Sequence, residues 1–101
     1  MIVEFSILPV GEGVSVSQYV AKALEIVDRS GLKYQFTPMG TILEGSYDEL
    51  MTTIKKCHGA VLEDCERVVT TIKIDDRKGK EDAIERKVQS VEDQLGKELQ
   101  K

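Results

Sequence analysis

The chain has 101 residues, 41% of them hydrophobic and 32% charged, with a formal net charge of −4. That length fits one domain with one modest core, and the apolar fraction argues against disorder. The acidic balance opposes nucleic-acid binding, and no apolar run approaches the roughly 20 residues needed to cross a bilayer.

Ile2–Leu8 alternates, with Val3, Phe5 and Ile7 on one side and Glu4 and Ser6 on the other. This is the pattern of a half-buried strand. Met1–Val10 lacks a basic leader and carries Glu4, so it does not read as a signal peptide and a cytoplasmic protein is expected. Pro9 to Gly13 ends the strand, and Ser15 or Ser17 is placed to cap a helix whose apolar stripe is Val16, Val20, Ala23, Leu24 and Val27. Ser30-Gly31 stops that helix. Leu32–Thr37 is a second strand with Tyr34 and Phe36 toward the core, Pro38-Met39-Gly40 turns the chain, and Thr41–Glu44 returns antiparallel.

Ser46, with Glu49 three residues later, forms a capping box. The spacing of Tyr47, Leu50, Met51, Ile54, Cys57, His58, Val61, Leu62 and Cys65 predicts one helix over residues 47–65. Arg67–Asp75 is a fourth strand, with Val68, Thr70, Ile72 and Ile74 toward the helices and Val69, Thr71 and Lys73 away from them. After a charged loop, residues 81–99 form a helix with a narrow seam of Ile84, Val88, Val91, Leu95 and Leu99. The order is β-α-β-β-α-β plus a helix. It predicts an α+β fold, a ferredoxin-like sandwich with a four-stranded antiparallel sheet (residues 1–79) and an additional C-terminal helix (80–101). One sheet face then lies bare and the last helix lacks an obvious partner, which favours oligomers.

Catalytic and metal chemistry find little support. Cys57 and Cys65 stand two helical turns apart, about 12 Å, too far for a disulfide or for one shared metal ion. His58 is the single histidine and sits on the apolar stripe, so no nucleophile–base pair suggests itself. A small phosphatase of this topology needs an asparagine to position water, and the chain has none. An RNA-recognition sheet needs exposed aromatics on its central strands, which are lacking here. Neither cofactor, metal, nucleic acid nor membrane is therefore expected as a partner.

The segment Tyr34–Gly45, Y-Q-F-T-P-M-G-T-I-L-E-G, concentrates polar residues at strand ends. Glu44 is a strand-end charge meeting solvent or the next helix, or else a carboxylate accepting from the amino edge of a heterocycle. Ser6, Thr37, Thr41 and Thr71 are candidate hydroxyl contacts, although threonine is also simply a good strand former. Thr41 and Glu44 point to opposite faces of one strand, so a shared pocket requires a twist or bulge.

This segment resembles a family of small thiamine-binding-type proteins found in prokaryotes and fungi. Ile2–Gly11 (I-V-E-F-S-I-L-P-V-G) is similar to the family's first strand, and Arg67–Arg77 (R-V-V-T-T-I-K-I-D-D-R) to its last strand and exit loop. The resemblance spans nearly the whole chain. It implies a ferredoxin-like fold, a homo-oligomer that is a tetramer built from dimers, and non-catalytic binding of thiamine or its hydroxymethylpyrimidine portion. It also carries Ser6, Thr37, Thr41 and Glu44 as ligand contacts, with Tyr34 and Met39 as an apolar or stacking wall. The alternative is a regulatory or structural oligomer that senses another metabolite or an anion, or binds a partner protein. Lys73, Arg77 and Lys78 would then attract a phosphate or sulfate.

Overall fold

The computed structural model describes residues 1–11, 16–79 and 83–99. Its elements run β1 (Ile2–Pro9), α1 (Val16–Arg29), β2 (Lys33–Thr37), β3 (Gly40–Glu44), α2 (Tyr47–Leu62), β4 (Val68–Asp75) and α3 (Ala83–Leu95). The strands form one antiparallel sheet in the order β2-β3-β1-β4. This is the expected ferredoxin-like α+β arrangement with a C-terminal helix added.

Alternation decides which face each side chain takes. Val3 stands opposite Leu43 and Ile74, and Phe5 opposite Thr41 and Ile72. Tyr34 and Phe36 continue those two rows onto β2. α1 and α2 pack on this face, and the core joins Val3, Phe5 and Leu43 of the sheet to Tyr19, Ala23 and Val27 of α1 and Leu50, Ile54, Cys57 and Val61 of α2. Cys57 donates its thiol to the Ala23 carbonyl, and burial pushes its pKa up to about 11, which leaves it protonated and inert. Both cysteines are free thiols.

The helix layer stops short of the sheet's edges. Tyr34 and Phe36, expected in the core, are 39% and 54% exposed on the outer strand β2. Ile72 and Ile74 on β4 are likewise exposed, although they lie on the helix-facing side. In α1 the buried stripe is Tyr19, Ala23 and Val27, while Val20 and Leu24 are half-buried and Val16 is exposed. Ser17 falls inside α1, and Ser15 lies outside the described residues.

Two helices end earlier than their apolar spacing predicts. α2 stops at Leu62, where Asp64 and Cys65 donate to carbonyls three residues back and tighten the final turn. Cys65 therefore follows the helix. α3 stops at Leu95 because Gly96, at φ 69°, and Lys97 both donate to the Glu92 carbonyl, a glycine-terminated helix end. Leu99 leaves the seam, and its N–H donates to the Glu92 carboxylate. The expected helix start at 81 lies outside the described residues.

The capping box at Ser46 is present in both directions. The Glu49 N–H donates to Ser46 Oγ at 3.3 Å, and the Ser46 N–H donates to Glu49 Oε1 at 3.1 Å. The bonds from Ser46 hold the Glu49 carboxyl below the usual range. Its contribution is thus present above that range and lost as pH falls through the lowered value.

Leu43 is fully buried at the centre of the sheet, so Leu43→Ala is expected to lower unfolding free energy by about 2–5 kcal/mol in urea denaturation. Ser46→Ala is expected to cost about 1 kcal/mol. The stability gap between wild type and Glu49→Gln should close as the pH of the melt is lowered below the carboxylate range.

Candidate functional site

A recess of about 330 Å³ opens between α1 and the β2–β3 turn. Its walls are Val16, Tyr19, Val20 and Leu24 of α1, Phe5 to Leu8 of β1, and Phe36 to Thr41 around the turn. The volume suits a small heterocycle at the lower end of ligand-pocket sizes. The sequence places Val16, Val20 and Leu24 on the core stripe of α1 and does not single out Tyr19; the width of that stripe, broader than one helix face needs, is the available signal.

The turn that shapes the recess is stitched by Thr37. Its hydroxyl donates to the Gly40 carbonyl at 2.9 Å and accepts from the Met39 N–H at 3.2 Å. Glycine is favoured at Gly40, because a Cβ would crowd the Phe5 carbonyl oxygen at 3.1 Å. Met39 consequently projects at the rim, 84% exposed.

Thr41 behaves differently. It is 4% exposed and lines the recess, and among the described residues its hydroxyl has no hydrogen-bond partner. No buried side-chain polar atom lacks a partner among the described residues, so the Thr41 hydroxyl keeps access to solvent through the recess, where it is open to a bound polar group. Ser6 also lines the recess and is exposed, opposite Thr71. Four of the six predicted site residues, Ser6, Thr37, Met39 and Thr41, are thus brought together.

Glu44 and Tyr34 are not among the recess-lining residues. Glu44 lies three residues from Thr41, about 10 Å along β3 and on the opposite face. Its Oε1 accepts the Ile84 N–H at 3.2 Å, at the start of α3. A carboxylate at a helix N-terminus satisfies a donor that the helix itself leaves unpaired. The Tyr34 hydroxyl donates to Asp28 Oδ1 at 3.0 Å, and that carboxylate raises the phenol's pKa. Tyr34 is also among the residues that line a second groove, between β2 and α3, with Ile84, Val88 and Gln89, although its side chain lies on the α1 side of the sheet.

His58 packs its imidazole against β4, with Nδ1 2.6 Å from Thr70 Oγ1. It therefore ties α2 to the sheet. No cluster of three or more potential metal ligands occurs among the described residues, and no described helix is long and apolar enough to cross a membrane.

With the geometry in hand, similarity to known proteins is informative. The profile of a family described as "Thiamine-binding protein" matches residues 3–92. A UPF0045 protein of Methanocaldococcus jannaschii is 47% identical over 91 residues, covering 90% of this chain and 91% of that one. The crystal structure of a hypothetical protein from that organism superimposes with a TM-score of 0.83 at 48% identity, over 89% of this chain and 93% of the other. A Thermotoga maritima structure, of a protein proposed to serve thiamine biosynthesis or salvage, gives a TM-score of 0.79 at 27% identity, over 89% of this chain and 96% of the other. By sequence and by fold, the chain belongs to the thiamine-binding protein family.

Proposed function

We propose that this is a non-catalytic, cytoplasmic binding protein for thiamine or its hydroxymethylpyrimidine moiety. The observation that carries the reading is Thr41, a residue only 4% exposed whose hydroxyl makes no hydrogen bond among the described residues and stays open to solvent on the wall of an apolar recess. An aminopyrimidine offers a flat apolar ring with polar edges. Phe36 and Met39 supply apolar surface for the ring, and Thr41 supplies a hydroxyl for its edge; Ser6 lines the recess, but its side chain alternates to the opposite face of the sheet from Thr41. Thr37 acts through the turn it holds. Family membership and the thiamine-related description of the Thermotoga maritima neighbour support the same ligand.

The reading includes a homo-oligomer, a tetramer built from dimers. Leu8, Phe36, Met39, Val69, Ile72 and Ile74 are exposed on a 101-residue chain, and apolar surface concentrated on sheet edges favours contact with another copy. Glu44 and Tyr34 lie outside the recess of their own chain. As ligand contacts they enter only from a neighbouring copy.

Calorimetric titration with thiamine and with hydroxymethylpyrimidine tests this. Wild type should give saturable heat, and Thr41→Val should bind about three- to tenfold more weakly, the worth of one hydrogen bond. Weakening by Glu44→Gln would place that carboxylate at the ligand. Unchanged affinity in Thr41→Val removes the recess from the site, and no heat from wild type removes the ligand class. A monomer by light scattering removes the shared site.

A further inference from the structure

We propose that the cleft between α3 and the β1–β4 end of the sheet is an anion site that takes a phosphate monoester, with Arg77 and Arg86 on the phosphate and Met1, Ile2 and Val91 against its organic part. The cleft encloses about 510 Å³ and is lined by these residues together with Asp75, Lys87 and Ser90. It lies at the opposite end of β1 from the recess around Thr41 and shares no lining residue with it.

The chain as a whole is acidic, at −4. Yet the lining of this cleft holds two arginines and a lysine against the single carboxylate of Asp75. Lys87 binds Asp75 directly, and Arg86 and Arg77 also act on it, so that its carboxyl is held below the ordinary range. Lys87 therefore offsets Asp75, which leaves Arg77 as the uncompensated charge of the cleft, with the Arg86 guanidinium beside it. Arg77 has no hydrogen bond or ion pair among the described residues. Arg86 is half-buried and engaged by another group of the chain as well.

Geometry supports a built cleft rather than scattered surface charge. Arg86 and Ser90 are one helical turn apart on α3, as are Lys87 and Val91, and residues at that spacing share a face. Arg77 arrives from the far side, two residues after β4 ends at Asp75. Guanidinium groups from two separate elements, with a hydroxyl beside them, match a tetrahedral dianion, which arginine grips through paired N–H donors. The volume greatly exceeds one phosphate ion, and the remaining wall is apolar. An ester with a hydrophobic arm fills it better than inorganic phosphate does.

The test is calorimetric titration of the full chain with phenyl phosphate and with inorganic phosphate at low ionic strength. Phenyl phosphate should bind saturably and more tightly than inorganic phosphate, and raised salt should weaken both. Arg77→Ala should weaken phenyl phosphate binding at least about tenfold, and Arg77→Lys should fall between, since it keeps the charge but loses the fork. Arg77 is exposed and outside the core, so circular dichroism should show its variants folded. Lys55→Ala removes the same charge from α2 and should leave affinity unchanged. The proposal fails if wild type shows no saturable binding, or if Lys55→Ala weakens binding as much as Arg77→Ala. Thr41→Val should leave this titration untouched, so its result is independent of the thiamine reading.

Discussion

The double pairing of β1 is the constraint from which the rest follows. β1 is bonded on one side to β3 and on the other, over all eight residues, to β4. A slip of one residue would turn Val3 and Phe5 outward and Glu4 and Ser6 into the core. The row of Leu43, Val3 and Ile74, the first two fully buried, makes that slip costly, because each strand contributes an apolar residue at one level. With the register set, the two ends of β1 acquire different surroundings. Leu8 reaches the recess under α1, and Ile2 reaches the cleft under α3. Six residues of strand, about 20 Å, separate them.

The face of the sheet opposite α1 and α2 is organised by a second row. Lys33, Glu44, Ile2 and Asp75 stand side by side across all four strands. Three of them hold α3: Lys33 pairs with Glu85 at 3.1 Å, Glu44 accepts the Ile84 N–H, and Asp75 binds Lys87. These contacts are exposed or half-buried and individually weak. They fix the first turns of α3 over one end of the sheet, and the helix beyond them carries Val91 and Leu95 exposed. The rest of that face, around Ser6, Thr71 and Val69, stays uncovered.

Local pattern made the strands, the two packed helices and the capping box legible, because each is written in residues close together. Alternation in Ile2–Leu8 and the Ser46–Glu49 pair required no knowledge of the rest of the chain. What escaped depends on distant partners. Glu44 reads equally as a ligand carboxylate or a helix cap until Ile84, 40 residues later, is seen to sit on it. Tyr34 and Phe36 have the alternation of core residues, yet β2 is an edge that α1 does not reach across. Tyr19 was overlooked because its stripe competes with Val16, Val20 and Leu24. Its ring fills the core while its hydroxyl reaches the Asp64 carbonyl, the usual accommodation of a tyrosine. The buried Glu92 sits in a seam that reads as hydrophobic, and its carboxylate is occupied by the Leu99 N–H.

The division of the candidate residues bears on how a ligand would be held. Removing a hydroxyl from water costs far less than removing a carboxylate. A hydroxyl such as that of Thr41 therefore sits on an apolar wall at modest cost while solvent still reaches it, whereas Glu44 in the same place would demand a cation or several donors. The chain puts the hydroxyl on the recess wall and the carboxylate on the opposite face, where Ile84 and the N-terminal end of α3 satisfy it. A recess so built recognises shape first and one polar edge second.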